Sequence, residues 1–165
     1  MKVIVSACLL GCNCKYNGKN NLDPELVELL TGKEIIPVCP EVLGGLSVPR
    51  ESAEVRDGKV ILKDGTSVDD QFRKGARLAL EKAVSEKADL AILQPRSPSC
   101  GVGKIYDGTF SGKLVTGNGV FAEMLAEAGI IVVASSDREA IRKIVEEPAR
   151  VPRRQIPFPD RPLDS

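Results

Sequence analysis

Residues 2–9 read KVIVSACL and residues 34–38 read EIIPV. Both are short apolar runs rich in β-branched residues, and they predict buried strands over Lys2–Leu9 and Glu34–Val38. Asp23-Pro24 stands between them. Asp is a good helix N-cap and Pro suits the first helical position, so a helix is expected through Leu30, stopping near Gly32. A strand, a helix and a second strand make the unit of a parallel sheet joined by a right-handed crossover. Further out the alternation recurs. From Asp69 to Lys87, the residues Phe72, Ala76, Ala79, Leu80 and Ala83 share one helical face. Leu90–Leu93 is a third strand and Gly119–Ala128 a helix closed by Gly129. Ile130–Ala134 is a fourth strand, and Asp137–Glu146 a last helix capped by Ser136 or Asp137. Residues 40–68 are expected to be irregular apart from a hairpin over Glu54–Lys63, centred on Asp57-Gly58. Gln94–Asn118 is expected to be a long glycine-bearing loop. The whole predicts an α/β fold with a mostly parallel sheet and a small β-hairpin insert.

The 165 residues suit one domain over residues 1–146, followed by a proline-rich tail over 147–165. The 23 basic and 23 acidic residues cancel, and aromatics are only 4%, which argues against DNA or RNA as partner. There is no histidine, which excludes Ser-His-Asp and Cys-His catalysis and every metal site that needs imidazole. Leu9-Leu10-Gly11-Cys12 mimics a lipoprotein cleavage box. The apolar run before it is short and broken by Ser6, so a cytoplasmic chain is expected. No segment approaches the ~20 apolar residues of a membrane span.

Cys8, Cys12, Cys14, Cys39 and Cys100 are the five cysteines. An odd number without secretory context argues against a disulfide framework. Cys8 falls at the end of the first expected strand, Cys39 at the end of the second, and Cys100 in the loop leaving the third. If those strands are adjacent and parallel, the three thiols meet at the edge where open α/β sheets bind ligands. Three thiolates without histidine suit a soft metal, while the plainer alternative is three packing residues. A cubane iron–sulfur cluster normally takes four cysteines, so three leave one iron open as a Lewis acid. Cys8-x3-Cys12-x-Cys14 offers a local alternative set, with Cys12 and Cys14 otherwise accessory or exposed thiols.

Glu41 lies two residues beyond Cys39. In an extended segment the two face the same side, which makes Glu41 a candidate general base. In the turn Arg96–Gly101, Ser97 or Ser99 either bonds backbone, as serines in turns commonly do, or holds a water beside the metal. Gly108–Lys113 imitates a phosphate loop, but it is one residue short, precedes Leu114 rather than Ser or Thr, and lacks the flanking strand and helix. Nucleoside triphosphate binding is rejected. Thr116–Gly119 reads as a helix cap.

Four motifs then stand in order: Val5–Gly11 (VSACLLG), Pro37–Gly45 (PVCPEVLGG), Ser97–Gly101 (SPSCG) and Tyr106–Gly112 (YDGTFSG). Together they resemble the thiouracil desulfidase family, long catalogued in bacteria as a domain of unknown function. The resemblance spans residues 1–146. It implies a Rossmann-like three-layer fold and a [4Fe-4S] cluster held by three cysteines, matching Cys8, Cys39 and Cys100. It implies catalytic roles for Glu41 and Ser97, and removal of sulfur from a small thiolated pyrimidine without net redox change. The family's Tyr-Asp-Gly after the first motif is Tyr16-Asn17-Gly18 here. A plain thiol redox protein is counted against by the lack of a CxxC motif, and two other readings compete. One is a sulfur-transfer protein of tRNA thiolation. The other is a non-enzymatic zinc or structural thiolate protein, with Cys12 or Cys14 as fourth ligand.

Overall fold

The structure, a computed structural model, describes residues 1–146. The expected proline-rich tail over 147–165 lies outside them. In chain order, β1 (Lys2–Ser6) leads through a 3-10 turn (Ala7–Leu10) to α1 (Pro24–Leu29), β2 (Glu34–Val38) and α2 (Pro40–Leu43). There follow β3 (Ala53–Arg56), β4 (Lys59–Leu62), α3 (Asp69–Ser85) and β5 (Leu90–Leu93). The chain continues through β6 (Lys104–Tyr106), β7 (Leu114–Thr116), α4 (Val120–Glu127), β8 (Ile131–Ala134) and α5 (Arg138–Glu146).

The central sheet has the order β2-β1-β5-β8 and every pairing in it is parallel. Period-two alternation sorts its side chains to two faces. Val3, Val5, Leu90 and Ile92 pack with Leu26 and Ile141, from α1 and α5. Ile4, Ala91 and Leu93 pack with Phe72, Ala76 and Phe121, from α3 and α4. The result is the expected three-layer α/β arrangement, with helices on both sides of a parallel sheet. Phe72 and Phe121 are almost fully enclosed, and burying a side chain of that kind contributes about 1.5–3 kcal/mol.

Asp23 caps α1 as expected, accepting from Leu26 N at 3.1 Å. Several local expectations are corrected. The first strand stops at Ser6, and Ala7–Leu10 closes into a 3-10 turn ended by Gly11 at φ 95°. β2 is an edge strand with Pro37 exposed, a place where a missing N–H is tolerated. Residues 40–68 hold the one-turn helix α2 as well as the expected hairpin, β3-β4, whose Arg56 pairs with Lys59 across Asp57-Gly58. Gln94–Asn118 is not structureless: β6 and β7 form a second antiparallel hairpin. Its tip is the stretch that imitates a phosphate loop. There the Glu54 carboxylate accepts from Gly108 N and Phe110 N, both at 3.0 Å, so the tip is tied to the first hairpin. Among the described residues, no helix is long and apolar enough to cross a membrane.

Two glycines set the distance between α2 and α3. A Cβ on Gly75 would lie 1.7 Å from the Pro40 carbonyl oxygen, and one on Gly44 2.1 Å from that of Gln71. Both obstacles are backbone, so relief requires α2 to move. Gly75→Ala is expected to lower stability by about 1–3 kcal/mol, the usual range for overpacking. Urea unfolding checks this against Arg77→Ala, on the exposed face of the same helix, whose midpoint should stay within error.

Candidate active site

The site grows from three strand ends. Cys8 sits in the turn after β1, Cys39 is the N-cap residue of α2 after β2, and Cys100 lies beyond β5. Because β2, β1 and β5 are neighbours and parallel, these ends share one edge of the sheet. The chain turns one way from β1 to β2 and the other way to β5, so the edge is also a topological switch point. A cavity of about 640 Å³ opens there, lined among others by Cys8, Cys39, Cys100, Glu41, Ser97 and Cys14. Cys12 is exposed and does not line it.

The thiols are held in polar surroundings. Asn21 Nδ2 donates to Cys8 Sγ at 3.8 Å, and Cys39 Sγ lies 3.9 Å from the Cys14 carbonyl. Burial raises the Cys8 pKa, Asn21 opposes the rise, and the nearby Cys39 adds to it. Burial pushes the Cys100 thiol up to about 12; the Ser6 and Ser99 hydroxyls work against this, while Glu41 and Cys8 reinforce it. Cys14 is raised as well, by burial first and then by Cys39. All three are therefore neutral thiols at neutral pH, and must lose protons to bind a metal. Among the described residues, no three Cys, Asp or Glu side chains close on one point where a single ion would be held.

The Cys100 turn is built by α4. Val120 N donates to Pro98 O at 2.9 Å, and Phe121 N to Ser99 O at 2.9 Å. The first N–H groups of α4 are thus satisfied by the turn itself rather than by a capping side chain. Asn118, expected in the cap, instead accepts from Gly103 N at 2.8 Å. Gly119 permits the approach, since a Cβ there would lie 2.4 Å from the Ser99 carbonyl carbon. Within the turn, Ser97 Oγ accepts from Ser99 N and Cys100 N, each at 3.1 Å.

Glu41 reaches the cavity by a different route from the one expected. It lies in the helical turn α2, not in an extended segment. Its Oε2 accepts from Ser99 Oγ at 2.7 Å, and its Oε1 accepts from Arg50 Nε at 3.0 Å. The Ser97 hydroxyl is 3.0 Å from that of Ser99, which in turn bonds Glu41. Arg50, Ser6 and Asn21 line the same cavity and escaped the sequence reading. Ser6, two residues before Cys8, has the same spacing that marks Glu41 beside Cys39, whereas no local signal marks Arg50 or Asn21.

Residues 3–137 match the family described as 2-thiouracil desulfurase. The chain belongs to this family. The family is one of enzymes, and membership accords with the four motifs quoted above. An uncharacterized protein of Bacillus subtilis (strain 168), YbbK, is 39% identical over 145 residues, covering 82% of this chain and 96% of the relative. A solved structure of TudS, a [4Fe-4S]-dependent thiouracil desulfidase, superposes with a TM-score of 0.82 at 35% identity. That match covers 88% of this chain and 97% of TudS, and it bears out the expected Rossmann-like fold.

Burial orders the reactivity of the thiols of this desulfurase-family chain. In the cluster-free native protein, iodoacetamide should modify exposed Cys12 first and half-buried Cys39 next. Cys8, Cys14 and Cys100, nearly buried in the cavity wall, should react last, which peptide mass mapping at successive times will show.

Proposed function

We propose that this protein removes sulfur from a small thiolated pyrimidine of the thiouracil type, replacing it with oxygen from water. One observation carries the reading: in a chain of the 2-thiouracil desulfurase family, the thiols of Cys8, Cys14, Cys39 and Cys100 and the Glu41 carboxylate border a single cavity. The donor set fits a [4Fe-4S] cluster. Thiolates are its usual ligands, and Cys8, Cys39 and Cys100 line one cavity of about 640 Å³. Cys8, Cys39 and Cys100 would hold it, within a single domain over residues 1–146. When bound, the cluster supplies a soft Lewis-acid position left open by the missing fourth thiolate, able to accept sulfur.

The remaining work falls to the chain's own residues. Glu41 takes a proton from a water at the cavity wall, and Ser97 holds that water over the carbon that bears the sulfur. The water oxygen bonds to this carbon as the carbon–sulfur bond breaks. Water and the thiocarbonyl compound become the carbonyl compound and hydrogen sulfide, with no electron gained or lost. The protein is expected in the cytoplasm, where thiols stay reduced.

Cluster-loaded protein under anaerobic conditions should convert thiouracil to uracil with one sulfide released per turnover. Glu41→Gln and Ser97→Ala should keep the cluster and lower kcat about 100-fold or more, the usual weight of general acid–base catalysis. Full turnover by either variant removes that residue from the mechanism. Transfer of the sulfur into tRNA, in place of free sulfide, would favour the sulfur-transfer reading.

A further inference from the structure

Both carboxylate oxygens of Glu41 are engaged by residues to which the reaction above gives no part. On one side stands Arg50. Its Nε and Nη2 reach Glu41 Oε1 at 3.0 and 2.9 Å, and only 8% of its side chain is exposed. The guanidinium also donates from Nη2 to Cys14 O at 2.9 Å and from Nη1 to Ser47 O at 3.1 Å. Its own backbone N donates to Tyr16 O at 2.7 Å. Arg50 thus joins the Glu41 turn to the loop that carries Cys14. A planar fork with several fixed donors does this, and a lysine ammonium does not.

On the other side stands Ser99, only 2% exposed. Its hydroxyl approaches three groups: Glu41 Oε2 at 2.7 Å, Ser97 Oγ at 3.0 Å and Cys100 Sγ at 3.7 Å. Counting protons fixes the direction of the bonds. An ionised carboxylate only accepts, so the single Ser99 proton goes to Glu41. Ser97 then donates to Ser99 in this structure, and turns that one proton to the water when it holds one. The Ser97 oxygen accepts in turn from two backbone N–H groups, Ser99 and Cys100.

We propose that Arg50 and Ser99 are positioning residues for Glu41: Arg50 pins one carboxylate oxygen, and Ser99 links the other to Ser97. Ser99 takes one lone pair of Oε2 and leaves the other for the water, so the carboxylate is held in place without being blocked. The proposal rests on Glu41 serving as the base.

The test uses cluster-loaded wild type, Arg50→Ala, Arg50→Lys and Ser99→Ala, with iron content measured alongside kcat and KM for thiouracil, and a crystal structure of each variant. Arg50→Ala and Ser99→Ala should lose about 100-fold in kcat, with KM and iron content unchanged. Added guanidinium should restore rate to Arg50→Ala and none to Ser99→Ala. Arg50→Lys should share the loss, and it decides the matter if Arg50→Ala does not fold. A rise in KM alone, or full activity in either alanine variant, overturns the proposal. The crystal structures give a readout apart from turnover. In the Arg50 variants Glu41 Oε2 should leave Ser99, and an unmoved carboxylate overturns the clamp. If the wild type fails to act on thiouracil, the proposed function falls, while the carboxylate position still decides the clamp.

Discussion

The site depends on one constraint: β1 lies between β2 and β5, parallel to both. Its register pairs Ser6 with Val38 on one side and Val5 with Ile92 on the other. That pairing brings the chain exits of three strands to one edge, and a cysteine follows each exit. β1 and β5 are buried on both faces, so a slip of one residue would send every side chain to the opposite layer, and the packing that stabilises the core also fixes where the thiols meet. Folding and site assembly are here the same event.

Two close backbone approaches refine this crude placement. Gly44 and Gly75 let α2 settle against α3, which sets Cys39 and Glu41. Gly119 lets α4 take up the carbonyls of Pro98 and Ser99, which sets Ser97 and Cys100. The carboxylate and the hydroxyls therefore come from two independently held pieces that meet at the 2.7 Å bond between Ser99 and Glu41. The salt bridge from Arg50 is nearly buried, and loss of one partner from such a pair is costly because the other is left uncompensated.

The layers of the fold were legible because Lys2–Ser6, Glu34–Val38 and Leu90–Leu93 are dense in apolar residues, α1 has a clear cap in Asp23 and α3 a clear apolar stripe. The meeting of Cys8, Cys39 and Cys100 followed from that topology. The β6-β7 hairpin was not legible: each strand has three residues, and all of β7 is exposed, so no apolar alternation marks it. Nearness to Cys39 marks Glu41 in the sequence, but its route through a helical turn depends on the glycine contact with α3. Arg50 and the Ser99–Glu41 contact were invisible for a related reason. Ser99 meets Glu41 across 58 residues of chain, and only the assembled fold brings them together.

The central claim is that Cys8, Cys39 and Cys100 act as one ligand set. Cys8 and Cys100 are buried and neutral and become ligands by releasing protons, so the cluster-free chain can hold them ready. The direct measurement is anaerobic iron–sulfur reconstitution, with iron and sulfide counted in the wild type and in alanine variants of each cysteine. About four irons and four sulfides per chain are expected, lost in each of Cys8→Ala, Cys39→Ala and Cys100→Ala and retained in Cys12→Ala. A full complement in any one of the first three, or dependence on Cys12 and Cys14 instead, would contradict the three-cysteine site.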